Sequence, residues 1–252
     1  MRIRRQPAPT QREDTALVLF TLAPDAEGRR KTLGPSRRAA EIFALLLEHL
    51  RDVGSRLAGV DLLLATPAGS LPGPGERLVQ RGNSFGDSLR MAVDDAFALG
   101  YRRVLLIGND APEISRNYLR RALGALGSGD RPRAVLGPAA DGGYVLLGLN
   151  APCAAAFRGI GWGGSRVARD TERRLSASGF DVERLPTIED IDDAFALARF
   201  LSRSRATALA LLARRMQPAC VASLVRDRHA APAFDRASFA HAHGLRAPPP
   251  AA

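Results

Sequence analysis

The run Val104-Leu105-Leu106-Ile107-Gly108-Asn109-Asp110-Ala111-Pro112 decides how this chain is read. A short, wholly apolar segment stops at Gly-Asn-Asp, and Pro112 bars the strand from continuing. Such a run predicts a buried parallel strand, with Asp110 standing at the carboxyl edge of the sheet. Ligands of open α/β sheets bind at that edge. A carboxylate there can hold a divalent cation, and a hard cation can hold a diphosphate. Asp110 can equally cap the helix expected near Ser115, or close an Asx-turn before Pro112. This run alone leaves both readings open.

Outward from it, apolar strands alternate with amphipathic helices. Ala16 to Leu22, Val60 to Ala65, Ala134 to Leu136, Val145 to Leu149 and Val182–Leu185 read as further strands. Between them, Ser36 can cap a helix whose apolar positions (Ala39, Ile42, Phe43, Leu46, Leu47, Leu50) follow helical spacing. Further helices are expected from the Gln80–Leu89 stretch to about Ala98, from Ser115 to Leu126, over Arg166–Ser176, and from about Asp192. The segment from Ala23 to Thr32, rich in charge and turn formers, reads as a loop, as does the Pro/Gly-rich stretch through Gly75. This alternation predicts one doubly wound α/β domain over residues 15–203. Residues 1–14 read as a flexible basic arm. Residues 204–252 read as an appended helix, Ala206–Met216, and a Pro/Ala-rich tail that docks, mediates a homodimer or stays mobile.

The chain has 252 residues and is 46% hydrophobic, enough for an ordinary core. No apolar stretch is long enough to span a bilayer, and Pro7 and Pro9 fall where a signal peptide needs its apolar segment. A cytoplasmic protein with no membrane partner is the expectation. Cys153 and Cys220 form neither a disulfide framework nor a metal spacing. The net charge is +10, yet Lys31 is the single lysine among 36 basic residues. So complete a preference for arginine, beside so many alanines, points to nucleotide-composition bias more than to a ligand. No helix-turn-helix, aromatic RNA-binding strand or finger spacing is present, which argues against a nucleic-acid partner.

Several segments can carry chemistry, each with a plainer alternative. The loop around Lys31 can cradle phosphate with backbone N–H groups and one ammonium, or can simply face solvent. In Gln80-Arg81-Gly82-Asn83-Ser84-Phe85-Gly86-Asp87-Ser88-Leu89, Gly82 and Gly86 precede a helix. Gly82 lets backbone approach a ligand, while Gln80 and Asn83 can hydrogen-bond a base edge. The alternative is an ordinary loop capped by Ser84 or Asp87. Asp141-Gly142-Gly143-Tyr144 precedes an apolar strand, so Asp141 can share the edge with Asp110, binding acceptor hydroxyls or acting as base. Gly143 lets a substrate sit against the chain; a tight turn is the alternative. Asp190-Ile191-Asp192-Asp193 is explained by helix capping, although one of its carboxylates can approach a metal. Gly159-Ile160-Gly161-Trp162-Gly163-Gly164 comes too late to be a dinucleotide fingerprint, and His241 and His243 lack partner ligands.

Together these segments resemble a bacterial family of glycosyltransferase-A-like proteins, the arsenosugar-biosynthesis-type glycosyltransferases of the nucleotide-diphospho-sugar transferase superfamily. The likeness runs from about Leu17 to Leu201 through six segments in order: Lys31-Thr32, Gln80 to Leu89, Ile107 to Pro112, Leu136 to Tyr144, Phe157 to Trp162, and Asp190-Ile191-Asp192. It implies a Rossmann-like GT-A fold, with a mixed, mostly parallel central sheet flanked by helices. By resemblance, Asp110 is the metal-binding aspartate, with Mg2+ or Mn2+ as cofactor, and Lys31 is a donor-phosphate contact. Gln80, Gly82 and Gly86 correspond to the nucleotide loop, and Asp141, Gly142 and Gly143 to the sugar or acceptor side.

The chain departs from the family pattern at Leu33, where an arginine is usual, and at Asn109, Ala111, Gly163 and Gly164, where hydroxyl residues are usual. These departures bear on turnover more than on fold. The first expectation is a metal-dependent glycosyltransferase taking a nucleotide-diphospho-sugar donor and an unidentified small-molecule acceptor. The alternatives are a nucleotidyltransferase of the molybdenum-cofactor or F420 type and a non-catalytic nucleotide-binding member.

Overall fold

The computed structural model of the chain describes residues 13–31, 33, 36–69, 71, 76–127 and 131–203. Most of the basic arm, Thr32, Gly34, Cys220, both tail histidines and the whole segment from Ser204 lie outside the described residues. Among the described residues seven strands form one sheet: β1 (Thr15–Phe20), β2 (Asp61–Thr66), β3 (Glu76–Val79), β4 (Arg103–Ile107), β5 (Arg133–Pro138), β6 (Tyr144–Leu149) and β7 (Asp181–Arg184). Their order is β3-β2-β1-β4-β6-β5-β7. β6 pairs antiparallel with both neighbours, whereas the other pairings are parallel, so β6 alone among the described strands is reversed. The sheet is therefore mixed and mostly parallel.

Among the described residues six α-helices flank it: α1 (Pro24–Arg30), α2 (Ser36–Ser55), α3 (Phe85–Ala98), α4 (Arg116–Leu126), α5 (Val167–Ala177) and α6 (Ala194–Arg203). Side chains alternate across each strand, so every apolar run feeds two cores. Ala16, Val18, Val104 and Leu106 face α3 and α5, packing with Leu89, Val93 and Leu175. Leu17, Leu19, Leu105 and Ile107 face α2 and α4, packing with Leu47, Leu50, Leu119 and Leu126. A third core joins the far side of α2 to α6 through Phe43, Leu46, Leu197 and Phe200, and takes in Leu33 and Ile191.

Local signals explain the helix ends. Ser84 Oγ accepts the Asp87 N–H at 3.1 Å and starts α3. Ser115 Oγ accepts the Tyr118 N–H at 3.2 Å and starts α4, which stops at Gly127 with φ +58°. Gly148, in the middle of β6, has no room for a side chain. A Cβ there would meet Leu105 at 2.7 Å and Leu126 at 3.2 Å, within the core of the α4 face.

Two elements differ from the sequence expectation. The Ala23–Thr32 segment carries a seven-residue helix, α1, with Pro24 in its first turn, Asp25 and Glu27 early and Arg29 and Arg30 late. Residues Glu76–Val79 form strand β3, pairing Leu63–Thr66 of β2, where no strand was expected.

Candidate functional site

β1 and β4 lie side by side and parallel, so their carboxyl ends open on the same edge. The chain leaves β4 through Gly108, Asn109 and Asp110. A Cβ on Gly108 would stand 2.9 Å from Asp110 Oδ1, so glycine is what lets the carboxylate fold back there. Asn109 is buried, and its Nδ2 donates to Thr21 Oγ1 at 2.7 Å while Thr21 donates on to the Leu22 carbonyl. This asparagine, found where the family usually carries serine, laces the end of β4 to the end of β1. Ser115 performs the helix cap, which leaves the Asp110 carboxylate for other work.

α1 delivers the lysine. Glu27, 5% exposed, accepts the Leu22 N–H at 3.1 Å and pins the helix against the end of β1. Burial raises its pKa despite the opposing Arg30. At the helix C-terminus Lys31 Nζ donates to Asp110 Oδ2 at 2.9 Å and to Asp192 Oδ1. Burial opposes this ammonium, but the Asp110 and Asp192 carboxylates outweigh it and hold its pKa above the ordinary lysine value. Reciprocally, burial would raise the Asp110 pKa, and Lys31 overrides it, so the carboxyl sits below its usual range. Arg29 pairs with exposed Asp25, whereas Arg30 lines the cavity, its Nη1 donating to Glu27 Oε2 at 3.5 Å and its Nε without a partner among the described residues. Leu33, where the family usually has arginine, is 1% exposed and lies in the third core, so a cation reaches this wall from Arg30 instead.

A second pair of carboxylates arrives from the segment before α6. The Ile191 N–H donates to the Asp110 carbonyl at 2.8 Å, and the Ile191 side chain is buried in the third core. Its two neighbours therefore stand on the cavity side. One oxygen from each of Asp110, Asp190 and Asp192 lies within 4.8 Å of the others. Burial, reinforced by Asp110, Asp192 and Asp141, pushes the Asp190 carboxyl up to about 7. Asp193 alone acts as the cap, its Oδ1 accepting the Ala196 N–H at 2.7 Å.

Asp141 reaches the same edge because β5 and β6 form an antiparallel hairpin whose turn lies there. Its Oδ1 accepts the Gly143 N–H at 2.8 Å, and both residues line the cavity. Gly142 lies behind that wall. It holds φ +95°, donates to the Ala139 carbonyl and accepts from the Ala168 N–H, and any Cβ would enter the Ser165 backbone.

The opposite wall carries the glutamine loop. Gln80 Nε2 donates to the carbonyls of Ala65 (2.8 Å) and Thr21 (3.0 Å), tying the ends of β3, β2 and β1. Both amide hydrogens are thereby used, and the residue lines the cavity with Oε1 as its remaining acceptor. Gly82, with φ +131°, lines the cavity beside it. Gly86 does not: the Trp162 indole occupies the place of its missing Cβ. Trp162 meets Phe85 edge-on (centroids 5.2 Å apart) and Tyr144 (6.1 Å), and Phe85 meets Phe20 (6.0 Å), making an aromatic row along the wall.

The cavity has a volume of about 420 Å³, within the range of small-ligand sites. Of the residues singled out from sequence, Asp110, Lys31, Gln80, Gly82, Asp141 and Gly143 line it, while Gly86 and Gly142 shape its wall from behind. Sequence reasoning missed Glu27, and for the Asp190–Asp193 cluster it favours capping while leaving one carboxylate free to approach a metal; the structure brings two of them, Asp190 and Asp192, to Asp110. Two aspartates alternating about a buried isoleucine were the available signal, because a cap needs only one carboxylate. Three hard oxygen donors around one point, with an ammonium already lodged among them, suit a Mg2+- or Mn2+-class cation. No helix among the described residues is long and apolar enough to cross a membrane.

The family model described as "Uncharacterized protein conserved in bacteria (DUF2064)" matches residues 10–164, more than half of the chain. No curated protein matches the sequence. Among solved structures, the chain is similar to a Desulfovibrio desulfuricans G20 protein provisionally named a nucleotide-diphospho-sugar transferase. The identity is 24%, over 84% of this chain and 98% of that one, with a TM-score of 0.73. More distant is the 2-C-methyl-D-erythritol 4-phosphate cytidylyltransferase of Thermus thermophilus (19% identity, 78% and 98% covered, TM-score 0.43). A mannosyltransferase of Pyrobaculum calidifontis, solved with GDP-Man and Mn2+, stands at 12% identity, 93% and 80% covered, TM-score 0.45. The match over residues 10–164, together with the glycosyltransferase-A-like sheet, places the chain: it belongs to the bacterial DUF2064 family and has the Rossmann-like nucleotide-diphospho-sugar transferase fold.

Proposed function

We propose that this protein is a metal-dependent transferase using a nucleotide-diphospho-sugar donor. The observation that carries the reading is the meeting of Asp110, Asp190, Asp192 and Lys31 in one cavity with the Gln80–Gly82 loop. Asp110, Asp190 and Asp192 would hold the divalent cation, which supplies positive charge to a departing diphosphate. Lys31 and Arg30 add cationic donors on the α1 side, where phosphate oxygens need them. Gln80 Oε1 and the backbone at Gly82 orient the nucleoside. Asp141 and Gly143 stand on the sugar and acceptor side, where a carboxylate can bind hydroxyls or take a proton. The aromatic row from Phe20 to Tyr144 excludes water from one side of the donor.

The test is a thermal-shift screen of UDP-, GDP-, ADP- and dTDP-sugars and free NTPs, each with and without Mn2+. A ligand at a hundred times its dissociation constant stabilises the native state by about 2.7 kcal/mol. The expected result is a shift with one nucleotide sugar that requires the metal. A shift with an NTP alone replaces this reading with nucleotidyl transfer. No shift from folded protein overturns nucleotide use altogether.

A further inference from the structure

We propose that Lys31 and the divalent cation compete for the same carboxylates, so that metal binding releases the Lys31 ammonium to the donor diphosphate. The inference rests on the function proposed above and adds an order of events to it. Lys31 Nζ bonds two of the three carboxylates that would hold the metal, Asp110 at 2.9 Å and Asp192. The three ligand oxygens span no more than 4.8 Å, which is room for one cation. A dication placed beside the ammonium would set like charges a few ångströms apart in a half-buried site, where water screens them poorly. Ammonium and metal therefore exclude one another.

The geometry also says where the lysine goes. Its backbone is anchored, since the Lys31 N–H donates to the Glu27 carbonyl at 3.2 Å and Glu27 is fixed to Leu22. Its four-carbon stem is flexible, so the head moves while the Cα stays. Arg30 already lines this side of the cavity, so a displaced Lys31 joins a second cation there. Two consequences follow from linkage. Metal alone binds weakly because it must break an existing ion pair. Metal and diphosphate bind cooperatively, because the diphosphate gives the displaced ammonium a new partner, and the coupling is reciprocal.

The experiment titrates Mn2+ alone, by calorimetry, into the full chain and into Lys31→Met and Lys31→Arg. Methionine keeps the length and removes the charge, whereas arginine keeps the charge. Lys31→Met is expected to bind Mn2+ about tenfold or more tighter than the wild type, and Lys31→Arg to stay near it. A thermal-shift series with UDP and GDP completes the test. Mn2+ and diphosphate together should shift the wild type by more than the sum of their separate shifts, and Lys31→Met by a smaller excess, since the direct attraction of metal for diphosphate remains while the part carried by the released ammonium is lost. Equal Mn2+ affinity in all three proteins overturns the competition while leaving the metal site standing. No Mn2+ binding by any of them at millimolar concentration overturns the metal site as well. If Lys31→Met does not fold, the wild-type series decides: additive shifts overturn the proposal.

Discussion

Asp110→Asn is expected to abolish metal-coupled donor binding while the protein stays folded. The substitution keeps the shape of the side chain and takes one carboxylate from the three that would hold the cation. Loss of a direct carboxylate ligand should weaken Mn2+ binding at least about a hundredfold, roughly 3 kcal/mol. Donor turnover should fall by a similar factor or more, since the charge on the leaving group is then uncompensated. The fold should survive because Asp192 still meets Lys31 and the backbone at Asp110 is held by Ile191. Calorimetry with Mn2+ and the melting temperature with and without donor separate the two effects. Asp141→Asn is the internal control for the metal alone, since its carboxylate is outside the cluster of three, and it should keep the Mn2+ affinity measured without donor. An Asp110→Asn protein that retains both metal binding and metal-coupled stabilisation would show that the cation sits elsewhere.

Gly142→Ala should be among the most destabilising single-methyl changes in the chain. At φ +95° an alanine is strained, which costs about 1–2 kcal/mol. The added Cβ also enters the backbone of Ser165, 2.6 Å from its carbonyl carbon and 2.7 Å from its Cα. A flexible side chain would swing aside, but backbone in the segment leading into α5 does not, so overpacking adds roughly 1–3 kcal/mol. The sum corresponds to a melting temperature lowered by about 10 °C for a domain of this size. Gly161→Ala, at a position with nothing within 4 Å of an added Cβ, should leave the melting temperature nearly unchanged. Similar melting temperatures for the two variants would mean that the turn after Asp141 is not built as described.

The apolar runs and their helices were legible because burial leaves period-two and period-three-to-four patterns in sequence. Ser84 and Ser115 caps could be read directly from residue type. α1 was not legible. Seven residues with a central Gly28 have little intrinsic helicity, and the helix persists through Glu27 and the packing of its buried face. β3 was hidden for a similar reason, as four residues with two charges become a strand only by pairing with β2. The site was partly legible. Asp110 follows from one strand and one edge. Placing Asp141 beside it depends on β6 running backwards, since a parallel β6 would have begun at the opposite edge. Nothing in Val145 to Leu149 states a direction. Asp190 and Asp192 arrive from far along the chain, and their place beside Asp110 becomes visible only once Ile191 is seen to be buried between them.

Trp162 has a further consequence for anyone handling this protein. It is the chain's single tryptophan, and it lines the cavity, wedged against Gly86 with Phe85 and Tyr144 edge-on to it. Its emission therefore reports from one known place. A stacked nucleobase or paramagnetic Mn2+ close to the indole should quench it, whereas Mg2+ alone should not. The wild-type chain thus carries its own optical gauge of occupancy, and an unlabelled sample in a cuvette can be titrated without an activity assay.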